Sequence, residues 1–167
     1  MSEIANLTGK AALDKVRQIA EDQIALFCTS TPDGLLETRP MATQGIDDDG
    51  RIWFFSAVDS RKNQQITAGS PVHVFYALPS RSEYLALNGT AAVSKDQRKI
   101  DELWSRYVKT WFNEGKDDPR LSLIEFSPSS GHYWDTKSNR TVQLAKIALG
   151  ALTGKTTDDS VEGSLKL

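Results

Sequence analysis

Arg51-Ile52-Trp53-Phe54-Phe55-Ser56-Ala57-Val58-Asp59-Ser60-Arg61-Lys62-Asn63 is the stretch on which the fold turns. Strand residues alternate between two faces, and Ile52 to Phe55 make both faces apolar. In a small barrel one face turns to the interior, so a helix, a ligand or a second subunit must cover the other. The segment then leaves the strand and enters a helix capped by Ser60 and stopped by Gly69-Ser70-Pro71. Arg61 and Lys62 fall in its first turn, where the macrodipole disfavours positive charge. Free backbone N–H groups, the Ser60 hydroxyl and the two cations form a candidate phosphate site, the alternative being a solvated helix start.

Upstream, Leu13, Val16, Ile19, Ala20 and Ile24 recur at helical spacing and predict a first helix over residues 10–24. Ile24 to Thr31, Leu35 to Ile46 and Arg51 to Ala57 read as three strands of a meander, joined by turns at Pro32-Asp33-Gly34 and Asp47-Asp48-Asp49-Gly50. Within the second, Pro40 marks an edge or a bulge, and Arg39 is either another cation for the site or an edge-strand charge.

Downstream, strands are predicted at Pro71 to Leu78 and Glu83 to Ser94. Ile100, Leu103, Trp104, Tyr107, Val108 and Trp111 predict a helix over residues 95–112. Arg120 to Ser127 and Gly131 to Thr136 read as two further strands, followed by a helix over 139–152. Residues 1–152 are expected to form one domain, and 153–167 a flexible C-terminal tail. Short strands with singly inserted helices favour a mainly β antiparallel barrel with peripheral helices over a doubly wound parallel sheet.

A chain of 167 residues with net charge −2 fits one ordinary domain and lacks the basic face that nucleic-acid binding needs. With no apolar run of membrane-spanning or signal-peptide length, the expectation is a cytoplasmic protein without a membrane partner. Cys28, the single cysteine, excludes an internal disulfide and a Cys-rich zinc site. It reads as a buried structural residue, and no metal is expected. The chain carries no G-x-S-x-G elbow and no His-Glu-x-x-His, and His132 and Asp135 fall on opposite faces of a strand. The run from Gly150 to Thr156 has three residues between its glycines where a phosphate loop needs four. Trp104, Trp111 and Trp134 are either core residues or the wall for a planar ring.

Thr38-Arg39-Pro40-Met41, Ile52 to Ser56, Ser60-Arg61-Lys62, the aromatic segment through Trp111-Phe112 and Tyr133-Trp134-Asp135 follow one another in order. That order resembles the general stress protein branch of the FMN-binding split-barrel, pyridoxamine-phosphate-oxidase-like superfamily, over about residues 10–150. The resemblance implies a six-stranded antiparallel split barrel, with FMN in a groove at the interface of a twofold homodimer. By position, Arg39 would reach the flavin ring or ribityl chain, with Met41 beside it. Phe54, Phe55 and Ser56 would line the ring with backbone groups, and Ser60, Arg61 and Lys62 would hold the phosphate. Trp111 and Trp134 are assigned to the same site, from either protomer.

The implied function is a stress-associated FMN-dependent oxidoreductase whose small-molecule substrate the sequence does not name. The alternatives are a non-catalytic FMN carrier or sensor, or a split barrel holding another planar cofactor, a deazaflavin or a haem. A haem would draw its axial ligand from His73 or His132. True pyridoxamine-phosphate oxidases carry an Arg-x-His segment for the pyridoxal substrate. This chain runs from Trp134 to Arg140 without it, so vitamin B6 oxidation is not expected.

Overall fold

Alternating burial and turn chemistry build most of the sheet from local signals. The computed structural model describes residues 3–31, 33–105, 108–110, 112, 114–136 and 159–167. In chain order the elements are β1 (Glu3–Ile4), β2 (Leu7–Thr8), α1 (Gly9–Ala20), β3 (Ile24–Ser30), β4 (Leu36–Ala42), β5 (Gly45–Ile46), β6 (Ile52–Ala57) and α2 (Arg61–Thr67). They continue with β7 (Val72–Leu78), β8 (Glu83–Ser94), α3 (Gln97–Leu103), β9 (Leu121–Thr136) and β10 (Ser160–Lys166).

Six long strands run in the order β6-β9-β8-β7-β3-β4, antiparallel throughout. β4 and β6 come side by side but share no ladder, so the barrel stays split there. The sheet is larger than the expected six strands. β5 adds to β6, β10 pairs antiparallel with β9, and β1 and β2 pair parallel with β10, giving a mixed sheet of ten.

Inside, Phe27 meets Phe54 and Phe126 edge to face, with centroids 5.4 and 6.5 Å apart. Val16, Ile19, Leu85, Leu87 and Ile124 fill the same core. A second cluster, Trp53, Ile100, Val108, Phe112, Leu121 and Leu123, lies on the other side of β6 and β9. Phe55 packs against it, edge to face with Trp104 at 6.0 Å. The two-sided strand is thus covered by α3 and the segment after it, within one chain.

Four expectations are corrected. The meander breaks at Thr43, whose N–H bonds Gln23 O at 2.9 Å and whose hydroxyl bonds the Tyr76 hydroxyl at 2.8 Å. Residues 35–46 therefore divide into β4 and β5, and β6 pairs with β9 instead of β4. The helix over 95–112 ends at Leu103, with Trp104 extended and a 3₁₀ turn at Val108–Thr110. Its aromatic and β-branched residues have modest helix propensity, and packing over β6 takes Trp104 and Val108 out of a regular helix.

Residues 120–127 and 131–136 are one strand with an extra residue at Ser129, opposite Gly89. A Cβ on Gly89 would lie 2.2 Å from the Ser127 carbonyl oxygen, so only glycine allows the bulge to close on its neighbour. The segment expected as a flexible tail contributes β10, paired from Ser160 to Lys166 with β9. The helix expected over 139–152 lies outside the described residues. Cys28 is buried, with its Sγ 3.0 Å from the Thr38 hydroxyl.

Candidate functional site

The split between β4 and β6 leaves two strand edges facing each other. β4 pairs with β3 on one edge, and among the described residues its other edge carries no ladder. β6 pairs with β9 along its length, whereas β5 covers only Ile52 and Trp53 of its other edge. Along this gap runs a groove of about 640 Å³, within the range of small-molecule sites. Pro40, Met41 and Ala42 wall it from β4, Phe55, Ser56 and Ala57 from β6, and Val108 and Phe112 from the segment after α3. The lining is largely apolar, with Gln44, Lys62 and Arg120 as its long polar side chains.

A buried hydrogen-bonded joint fixes α2 against the sheet. The Ser56 hydroxyl donates to Asn63 Oδ1 at 2.8 Å, Asn63 Nδ2 donates to the Ser122 hydroxyl at 3.0 Å, and that hydroxyl donates to Ser56 O at 2.9 Å. Ser60 caps the helix through the Asn63 N–H at 3.4 Å. Because α2 has seven residues, anion binding here rests on side-chain charge more than on a helix dipole. The joint delivers Lys62 to the groove. Among the described residues Lys62 makes no hydrogen bond or ion pair, and partial burial, with the nearby Arg39 guanidinium, holds its pKa below the usual 10.5.

Of the ten residues singled out for the cofactor, Met41, Phe55, Ser56 and Lys62 line this groove. Ser60 lies beside it through its cap and its contact with the Ser56 hydroxyl at 3.2 Å. Phe54 is fully buried in the interior, so only its backbone faces the strand edge. Arg39 is not among the lining residues and donates instead to the Thr29 hydroxyl and to Glu37 Oε2, each at 3.0 Å. Arg61 is paired with Glu37 Oε1 at 2.9 Å. Trp111 lies outside the described residues.

Trp134 is not in the groove. It pairs with Tyr84 on β8 and packs its ring on His132 at 4.6 Å, beside a separate cleft at the β9–β10 edge. Neither candidate haem ligand lines the groove: His73 bonds Asn88 Oδ1 at 2.7 Å, and His132 faces Glu162.

Several residues in and around the groove were not singled out from the sequence. Arg120 is gripped by the buried Asp118 through Nε at 3.2 Å and Nη2 at 2.9 Å, and that guanidinium lowers the Asp118 pKa. Glu37, Asn63, Gln65 and Ser122 are polar residues whose roles appear only once strands and helix are paired. An Asp-x-Arg pair at the start of a strand was the one local hint for Arg120.

The model of the "Pyridoxamine 5'-phosphate oxidase like" family matches residues 11–158. Protein bli-3 of Neurospora crassa is 22% identical over 166 residues, covering 90% of this chain and 79% of the relative. A structure described as a candidate general stress protein 26 from Jannaschia sp. CCS1 superposes with a TM-score of 0.76 at 28% identity, covering 93% of this chain and 95% of the other. The general stress FMN/FAD binding protein of Xanthomonas citri gives a TM-score of 0.65 at 24% identity, covering 77% and 90%.

Proposed function

The chain belongs to the pyridoxamine 5'-phosphate oxidase-like family, and on that premise we propose that the groove between β4 and β6 binds FMN in a stress-associated flavoprotein that uses it for redox chemistry. The observation that carries this reading is an apolar groove between two strand edges that share no ladder among the described residues, with Lys62, which makes no hydrogen bond or ion pair among those residues, in its lining. An isoalloxazine ring is a flat apolar plate with a rim of hydrogen-bonding atoms. Strand edges at Pro40–Ala42 and Phe54–Ala57 supply backbone donors and acceptors for such a rim, while Met41, Phe55 and Phe112 supply apolar surface.

Lys62 holds the phosphate in this reading, with Arg61 swinging from Glu37 to join it and Ser60 at the helix start. Arg39 adds positive potential close to Lys62. FMN, when bound, supplies the electron-transfer chemistry, and the protein supplies binding, orientation and electrostatics. The FMN/FAD binding stated for the Xanthomonas citri relative supports the cofactor class. General stress protein names among the relatives support the association with stress.

A second copy of the chain completes the proposal. Ile24, Leu26, Leu36 and Phe75 are 66%, 47%, 60% and 38% exposed on the outer face of β3, β4 and β7. Ile24, Pro40 and Ala42 belong both to this face and to the groove, so a twofold partner seated there would also close the groove. Cross-strand neighbours put Pro40, Leu26, Phe75, Ala86 and His132 in one row on that face. Trp134 stands beside His132, on a strand four spacings, roughly 19 Å measured along the sheet, from β4. Any role for Trp134 at the flavin is therefore assigned to the partner's groove.

Titrating flavin-free protein with FMN and with riboflavin, followed by flavin fluorescence, tests the site. FMN is expected to bind at least about tenfold more tightly, since one charge-assisted phosphate contact is worth about 1.5–3 kcal/mol. Equal affinity for the two, or no binding, overturns the reading. Rapid-mixing reduction of the bound flavin by NADH or NADPH, then reoxidation by an added acceptor, separates turnover from a carrier.

A further inference from the structure

Glu37 is the hub of the cationic cluster beside the groove. Its Oε2 accepts from Arg39 Nη2 at 3.0 Å and from Gln65 Nε2 at 2.9 Å, and its Oε1 faces Arg61 Nη2 at 2.9 Å. Arg39 is further tied to the Thr29 hydroxyl, and Gln65 is buried. The Oε2 side is thus a fixed, structural half. The Oε1 side is different, because the Arg61 side chain is 70% exposed, so this ion pair sets its direction there against solvent.

We propose that Glu37 is a resident competitor for Arg61: its carboxylate holds the guanidinium in place of a phosphate, and so sets how tightly and how reversibly the groove retains FMN. The inference rests on the FMN reading for its ligand, but the competition is a property of this chain's own residues. Phosphate and carboxylate offer Arg the same paired oxygen acceptors, so one guanidinium serves one of them at a time. Glu37 also adds a negative charge close to where the phosphate would sit, which opposes a dianion at short range.

Glu37→Gln separates the two halves of the hub. The amide oxygen in place of Oε2 still accepts from Arg39 and Gln65. The amide nitrogen in place of Oε1 is a donor facing a donor, so it releases Arg61. E37Q is therefore expected to bind FMN about 1.5- to fivefold more tightly than the original protein, the range set by an exposed ion pair. Riboflavin affinity should not change. The gain should vanish in the E37Q/R61A double variant and shrink as salt is raised.

An E37Q protein with unchanged circular dichroism and equal or weaker FMN affinity overturns the inference while leaving the FMN reading intact. Should E37Q fail to fold, Glu37→Asp keeps the charge but withdraws the carboxylate from Arg61, and a smaller gain of the same sign is expected. Melting in inorganic phosphate reads the competition without flavin: phosphate should raise the Tm of E37Q more than that of the original. If FMN binds neither protein but this difference appears, the flavin reading fails and the competition stands. No difference in phosphate overturns the competition.

Discussion

Lys62 shows at the scale of one residue how the groove trades stability for binding. Burial, then the neighbouring Arg39, lowers its pKa below 10.5, so the folded protein disfavours the charge that a phosphate would need. Replacing it by methionine should leave the flavin-free protein as stable as before or slightly more so. The same change should weaken FMN binding about ten- to a hundredfold and riboflavin binding hardly at all. Melting curves and fluorescence titrations of Lys62→Met check both signs, and equal losses for the two flavins would remove Lys62 from the phosphate site. The pH dependence follows with its sign. With the folded pKa depressed, the unfolded chain binds more protons, so Lys62 makes stability rise as pH climbs through its lowered pKa and level off near 10.5. Over the same window Lys62 loses its charge, and the preference for FMN over riboflavin should decline.

Among elements, β10 is the one whose place depends most on a missing side chain. Its Gly163 sits where a Cβ would be 2.0 Å from the Ala5 carbonyl oxygen, so the strand runs tight against the chain between β1 and β2. Gly163→Ala should force β10 away from that segment and cost about 1–3 kcal/mol, read as a lowered Tm. Hydrogen exchange should speed up first in Ser160–Lys166 and in the Tyr133 region facing it, and a Tm equal to the original would contradict this account. The composition of residues 153–167 conceals the strand, because Gly, Ser and Asp signal disorder unless a tertiary partner fixes them. β3, β7, β8 and the Ser60-capped α2 were legible, since alternation, turn residues and a cap act within a few positions. The stop of α3 at Leu103 was not, because Trp104 leaves the helix to pack on Phe55, about fifty positions away in the sequence. The candidate site divides along the same line. Lys62 and Met41 could be read from motifs, but the Arg61–Glu37 and Arg120–Asp118 pairs depend on how loops and strands come together.

For the whole molecule the decisive surface is the outer face of β4, β3 and β7, where Leu26, Leu36 and Phe75 stand exposed. The two-sided strand at Ile52 to Phe55 does not need a second subunit, because α3, Val108 and Phe112 cover it. The exposed row of Pro40, Leu26 and Phe75 replaces it with a different surface, continuous with the groove wall. Leu26 and Phe75 touch neither the groove nor the buried core, so charge placed there should spare the fold of one protomer. Sedimentation of the original protein at micromolar concentration is expected to give twice the chain mass of 18.5 kDa, and the double variant Leu26→Glu with Phe75→Glu a single chain. FMN affinity in that variant should fall together with dimerisation if the second copy closes the groove. Unchanged circular dichroism would show that the loss is not unfolding. An original protein that sediments as a monomer would sink the dimer and the role given to the partner's Trp134. A monomeric variant that holds FMN at full strength would show instead that one chain's split barrel is sufficient for the flavin.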